Sequence, residues 1–189
     1  EKALDNAASR EEKARWEYLT GQLYALAGQH ETAIAFFEQT IRHTLNPVLE
    51  VYARLSAIRQ HKGDEKAIEA NLAALLKMAR RDRYVGYRDI IYFTAAQMEL
   101  ERNNIAGAKA LLQKAAHYSN AASPSSQRTK AYLLLADLSY REKLFSDAKS
   151  YYDSVTTTDI ALLSEKDFTD RKAILSKLVA QSEIISRQD

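Results

Sequence analysis

Four histidines, His30, His43, His61 and His117, are the side chains best suited to metal ligation or proton transfer. None pairs with another four positions away, and neither an H-E-x-x-H helix nor a carboxylate-rich calcium loop occurs. The five glycines stand singly, so no glycine-rich loop can cradle a phosphate. No G-x-S-x-G elbow presents a nucleophilic serine. Cysteine is absent, which removes thiolate chemistry, disulfides and cysteine-ligated metal. The carboxylates are plentiful but interspersed with Lys and Arg, the pattern of solvated helix faces. The sequence therefore assigns no catalytic, cofactor-binding or metal-ligating residue, and the chain is expected not to be an enzyme.

Composition says which elements must carry the remaining side chains. The 189 residues are 46% hydrophobic and 28% charged, an ordinary globular balance. Only 5 Gly and 2 Pro interrupt a chain dominated by Ala, Leu, Glu, Lys, Gln and Arg, which favours long helices. Lys and Arg number 27 against 25 Asp and Glu, a net charge of +2. With both signs mixed along the chain, no global field draws it to nucleic acid or an anionic membrane. No apolar run reaches the length of a membrane span.

Helix signals recur along the chain. Ser9 and Glu12 form a capping-box pair ahead of a helix over about Arg10–Ala27, whose expected buried side is Ala14, Leu19, Leu23 and Leu26 or Ala27. Gly28 supplies its left-handed stop. A second helix over Glu31–His43 presents Ala33, Phe37, Ile41 and Thr44 on one face. Asn46-Pro47 starts a third, with Val48, Val51, Tyr52, Leu55 and Ile58 inward. Gly63 ends it, and Asp64 caps a fourth striped by Ile68, Leu72, Leu75, Leu76 and Ala79. That helix runs into the basic cluster Lys77, Arg80, Arg81 and Arg83, read as favourable charge at a helix C-terminus.

The stretch Trp16–Pro47 carries Gly21, Tyr24, Gly28, Ala33 and Phe37 at the offsets of a tetratricopeptide repeat, a helix–turn–helix unit of about 34 residues. Ala33, Ala67, Ala108 and Ala148 recur 34, 41 and 40 residues apart and mark four such units. In the third unit, over about Gly86–Ser119, Asn103 takes the place of the turn glycine. The loop Asn120–Ser126 precedes the fourth unit, with Tyr132, Ala136, Ser139, Ala148, Tyr152 and Val155. A final helix after Ser164 carries Phe168, Ile174, Leu175, Leu178, Val179 and Ile184 or Ile185. The expected architecture is all-α: a tetratricopeptide solenoid of about four helix pairs with a C-terminal capping helix. Residues 1–9 form a linker, 10–163 the repeat domain, and 164–189 the cap or a lead into a further domain.

In such a stack the first helix of each pair faces a groove. Repeat position places Tyr18, Gln22, Arg54, His61, Phe93, Gln97, Leu133, Asp137 and Arg141 there. An aromatic, arginine and amide lining of this kind suits a protein or peptide partner. The Lys and Asn clamp with which some tetratricopeptide domains hold a chaperone carboxylate is missing, because Tyr18 and Gln22 occupy its positions.

Beyond the repeat, KARWEYLTGQLYALAGQHETAIAFFEQTI, NPVLEVYARLSAIR, MARRDRYVGYRDIIYF, SSQRTKAYLLLADLSYREKLFSDAKSYYDS and RKAILSKLVAQSEIISRQD resemble, in that order, the repeat region of the PorW/SprE family. Members are outer-membrane lipoproteins of the type IX secretion and gliding machinery of Bacteroidetes. The resemblance runs from about Lys13 to Asp189; NPVLEVYARL and RYVGYRDIIYF are its most specific parts. It implies a periplasmic domain, anchored through a lipid upstream, that links motor or ring components to the outer-membrane translocon. Its partners would be proteins, with no cofactor and no membrane insertion of this segment. A regulatory or adaptor tetratricopeptide domain of a larger cytoplasmic protein is the alternative expectation.

Overall fold

The structure, a computed structural model, describes residues 7–60, 65–119, 126–155 and 165–186. The described residues form nine α-helices and no strand. They are α1 (Arg10–Leu26), α2 (His30–His43), α3 (Pro47–Ile58), α4 (Glu65–Ala79), α5 (Arg88–Glu101), α6 (Ile105–Tyr118), α7 (Ser126–Arg141), α8 (Phe145–Asp153) and α9 (Glu165–Ser186), with a 3-10 segment, Asp82–Tyr87, ahead of α5. The chain divides into two compact units, Glu1–Tyr87 and Arg88–Asp189. That division falls inside the region 10–163 assigned by repeat pattern to one domain.

One turn recurs three times, and it explains how the chain makes helix pairs. Gly28, Asn103 and Lys143 all lie at positive φ, at 76°, 58° and 62°. At each, the following amide reaches back to the fifth residue before it: Gln29 N–H to Tyr24 O, Asn104 N–H to Glu99 O and Leu144 N–H to Ser139 O, at 2.8–2.9 Å. The positive-φ residue itself donates to Ala25 O, Leu100 O or Tyr140 O. This pair of bonds is a Schellman stop, which satisfies the carbonyls a helix end leaves open. A left-handed residue without a glycine's freedom is strained by roughly 1–2 kcal/mol. Lys143 is exposed, so Lys143→Gly is expected to stabilise the second unit by about 0.5–1 kcal/mol, after allowing for the floppier unfolded chain. A thermal melt reads this as a rise in midpoint.

In the first unit α1 and α2 pair antiparallel. The start of α1 meets the end of α2, where an Arg10 guanidinium donates to Arg42 O at 2.6 Å and Thr44 Oγ1 donates to Glu11 at 3.0 Å. Ser9 Oγ accepts from Glu12 N–H as expected, while the Glu12 carboxylate takes the amide of Ala8 rather than that of Ser9. The close face of α1 is Ala14, Glu17 and Gly21. A Cβ at Gly21 would lie 2.8 Å from the Phe37 ring, so only glycine allows this approach. Glu17 is fully buried and accepts from the imidazole of His43 at 2.7 Å.

The expected inner faces need correction in this unit. Leu19, Leu23 and Leu26 are 47%, 67% and 85% exposed rather than buried. They sit two positions out of phase with Ala14, Glu17 and Gly21, about 200° round the helix. Small side chains let α1 and α2 approach closely, and that contact overrides the larger apolar stripe. In α2, Thr40 joins Ala33, Phe37 and Thr44 in the core, and Ile41 is half-buried. In α3 the buried set is Glu50, Val51, Ala53 and Leu55, whereas Val48 and Tyr52 are exposed. Asn46 caps α3 through Val48 N–H with Pro47 first in the helix, as expected. Gly63, Asp64 and the side chain of Ala67 lie outside the described residues.

In the second unit α5 pairs with α6 and α7 with α8, and α6 also packs on α7. Ala108 and Ala148 are fully buried, as the repeat spacing requires. α9 packs on α8 through Phe168, whose ring lies 5.7 Å from that of Tyr152, and Leu175 joins the same cluster. Of the other residues expected inward on α9, Ile174 and Ile184 are exposed, and Leu178 and Val179 half-buried. The loop 120–125 and the connector 156–164, with Ser164, lie outside the described residues.

Candidate functional site

The first unit holds a cleft of about 840 Å³ built on the stripe that failed to enter the core. Trp16, Leu19, Leu23 and Leu26 of α1 line it with Gln22, and Phe37 lies among the lining residues. Opposing polar groups come from His30 at the start of α2 and from Ser56, Arg59 and Gln60 at the end of α3. His30 Nδ1 and Gln60 Oε1 are 2.8 Å apart, and Gln60 Nε2 donates to Ser56 O, so this polar edge is held in place. Tyr18 braces the cleft from beneath: its hydroxyl is 3.3 Å from Ser56 Oγ, and its ring lies 5.7 Å from Phe37. A row of exposed leucines beside a fixed row of hydrogen-bonding groups can seat an amphipathic segment and orient it.

Arg54, expected in the same groove as Gln22, lies elsewhere. It lines a separate cavity between α2, α3 and α4, and its guanidinium is held by Glu50 at 3.0–3.1 Å. His61 lies outside the described residues.

In the second unit four of the five expected residues, Phe93, Leu133, Asp137 and Arg141, line two clefts that share Asp137. Counted back from the Schellman stops, Phe93 and Leu133 share one repeat position, and Gln97 and Asp137 another. Phe93, Leu133 and Asp137 line a cleft of about 360 Å³, and Asp137 and Arg141 line one of about 440 Å³. Asp137, Tyr152 and Arg171 belong to both. Arg171 of α9 lies 3.5 Å from Asp137 and donates to the Tyr152 hydroxyl at 3.2 Å. Gln97 is half-buried and does not line either cleft.

Two kinds of site residue escaped sequence reasoning. Arg171 comes from the terminal helix, far along the chain, and only tertiary packing carries it to Asp137. The leucines of α1 were read as core because apolar stripes usually are. Had the small-residue stripe Ala14, Gly21 been taken as the contact face, it would have pointed to them.

The electrostatics of the first unit centre on Glu50, which is 5% exposed. Its Oε1 accepts from the Tyr84 hydroxyl at 2.6 Å and from Arg54, and its Oε2 from Arg83 at 2.6 Å. Burial alone would raise this carboxyl, but the bonds from Tyr84 and Arg54 and the two guanidiniums outweigh it and hold it low. Burial and the same bond to Glu50 push the Tyr84 hydroxyl up. Arg83 is thus an ion-pair partner and not simply a charge at a helix end. In the second unit burial raises the carboxyl of Asp89, with the Ile90 amide opposing. Among the described residues no group of three or more His, Asp or Glu is placed to hold a metal ion, and no helix is long and apolar enough to cross a membrane. No protein-family model and no curated protein matches this sequence.

Proposed function

We propose that this chain is a non-catalytic tetratricopeptide-type interaction module that receives an amphipathic segment of a partner protein in the α1–α3 cleft. The exposed stripe Leu19, Leu23 and Leu26 facing Ser56, Arg59 and Gln60 carries this reading. Apolar surface concentrated beside a polar rim is the ordinary mark of a protein contact. The three equivalent Schellman stops, each followed by a buried alanine, support the repeat architecture on which the reading rests.

The family-like segments around Tyr52 and Tyr87 extend the proposal to its setting. The module is a periplasmic scaffold of the type IX secretion machinery, linking ring or motor parts to the outer-membrane translocon. Immobilised chain is expected to retain secretion-machinery components from the detergent-solubilised envelope of a type IX-secreting bacterium. Leu19→Asp with Leu23→Asp is expected to lower that retention at least tenfold, as loss of a central apolar anchor does. Both residues are exposed, so helical content by circular dichroism stays unchanged. Recovery of no secretion component would dismiss the setting, and equal retention by the double variant would dismiss the cleft.

A further inference from the structure

A second cavity in the first unit, of about 460 Å³, has the chemistry of a small-molecule site. Its walls include Ile34 and Ile41 of α2, Ile58 of α3, and Leu75 and Met78 of α4. Among the described residues, helices α3 and α4 do not approach each other as α1 and α2 do, and the cavity lies between α2, α3 and α4. Among the described residues three cationic side chains line it, Arg54, Lys77 and Arg81, against one carboxylate, Glu38.

These cations are not equivalent. Arg54 commits Nε and Nη2 to Glu50, which fixes its guanidinium at the edge of the cavity. Glu50 is itself held by Arg83 and the Tyr84 hydroxyl, so the cation is pre-positioned. The side chains of Lys77 and Arg81 make no hydrogen bond or ion pair to another described residue. Lys77 stands in the last turn of α4 and Arg81 just past its end at Ala79, and both line the same cavity. Asn71 lies two turns back among the lining residues and offers an amide donor.

The geometry points to a binding site for an amphiphilic monocarboxylate. The carboxylate sits on Lys77 and Arg81, where charge-assisted hydrogen bonds are strongest. Its aliphatic body fills the space bounded by Ile34, Ile41, Leu75 and Met78. A bare inorganic anion would leave those apolar walls uncovered. A neutral molecule of the same shape would leave the two cations without a partner. The shared chemistry, a carboxylate on a branched or linear aliphatic body, is offered by a free fatty acid and by the C-terminal leucine of a peptide.

Amide NMR titration of the whole chain with octanoate and, separately, with N-acetyl-leucine tests the site and tells these sources apart. At least one is expected to give saturable shifts at Ala57–Ile58 and Ala74–Arg81. Octanol and inorganic phosphate are expected to bind at least tenfold more weakly than the better carboxylate. Lys77→Gln with Arg81→Gln is expected to weaken binding by roughly tenfold or more. Both side chains are exposed, so the variant keeps its fold, and its unchanged spectrum elsewhere verifies this. Absence of shifts with both carboxylates, equal binding of octanol or phosphate, or full affinity in the double variant would overturn the assignment.

Discussion

Phe37→Ala is expected to destabilise the first unit by about 3–5 kcal/mol, the range for removing a buried aromatic ring. The ring is 1% exposed, lies under Gly21 and packs against Tyr18. Its loss opens a cavity where Gly21 brings α1 close to α2, and Tyr18 loses its ring contact. Denaturant unfolding followed by circular dichroism measures the effect directly. The converse change tests the same contact. Gly21→Ala adds a Cβ 2.8 Å from the ring and is expected to cost about 1–3 kcal/mol by overpacking. Because both substitutions act on one contact, their effects are not additive. Gly21→Ala made on Phe37→Ala is expected to cost little or to stabilise, since the new methyl enters the vacated space. Simple additivity would show that the Gly21–Phe37 approach does not set the helix spacing.

Glu50→Leu is expected to cost the first unit about 3 kcal/mol, with most of the loss arising at Tyr84. Tyr84 is 2% exposed, and its hydroxyl donates to Glu50 at 2.6 Å. Without the carboxylate that hydroxyl is buried and unsatisfied. Arg54 and Arg83 are 40% and 52% exposed and can turn to water, so their share is smaller. Tyr84→Phe made on Glu50→Leu is therefore expected to recover part of the stability, whereas Tyr84→Phe alone destabilises. The same carboxylate gives the unit a pH dependence of known sign. Its folded-state pKa lies below the unfolded one, so its stabilisation is present above the ordinary carboxylate range. It is lost as pH falls from that range through the lower folded value. In Glu50→Leu this component of the acid-side loss should be absent, and unfolding free energies compared across that window check it.

The sites differ in how legible they were. Phe93, Leu133 and Asp137 were placed on a groove by repeat position, and they do line one cleft. The count works because Gly28, Asn103 and Lys143 make the same Schellman bonds, although two of the three are not glycine. Arg54, expected in the same groove, lies at another cavity, where Glu50 holds it. That pairing depends on Arg83 and Tyr84, which arrive through the 3-10 segment and carry no signal within α3 itself.

Composition and spacing by themselves determined that this chain is helical, that helices stop at Gly28 and Asn103, and that alanines sit at the close contacts. These are local matters: propensity, turn stereochemistry and the room a small side chain leaves. Tertiary structure decided which face of each helix was spent on that contact. On α1 the small face Ala14, Gly21 went inward and the leucines outward. Close backbone approach is governed by the smallest residues on a helix, while hydrophobicity follows the largest, and the two need not share a face. Where they part, as on α1, the apolar stripe is left exposed.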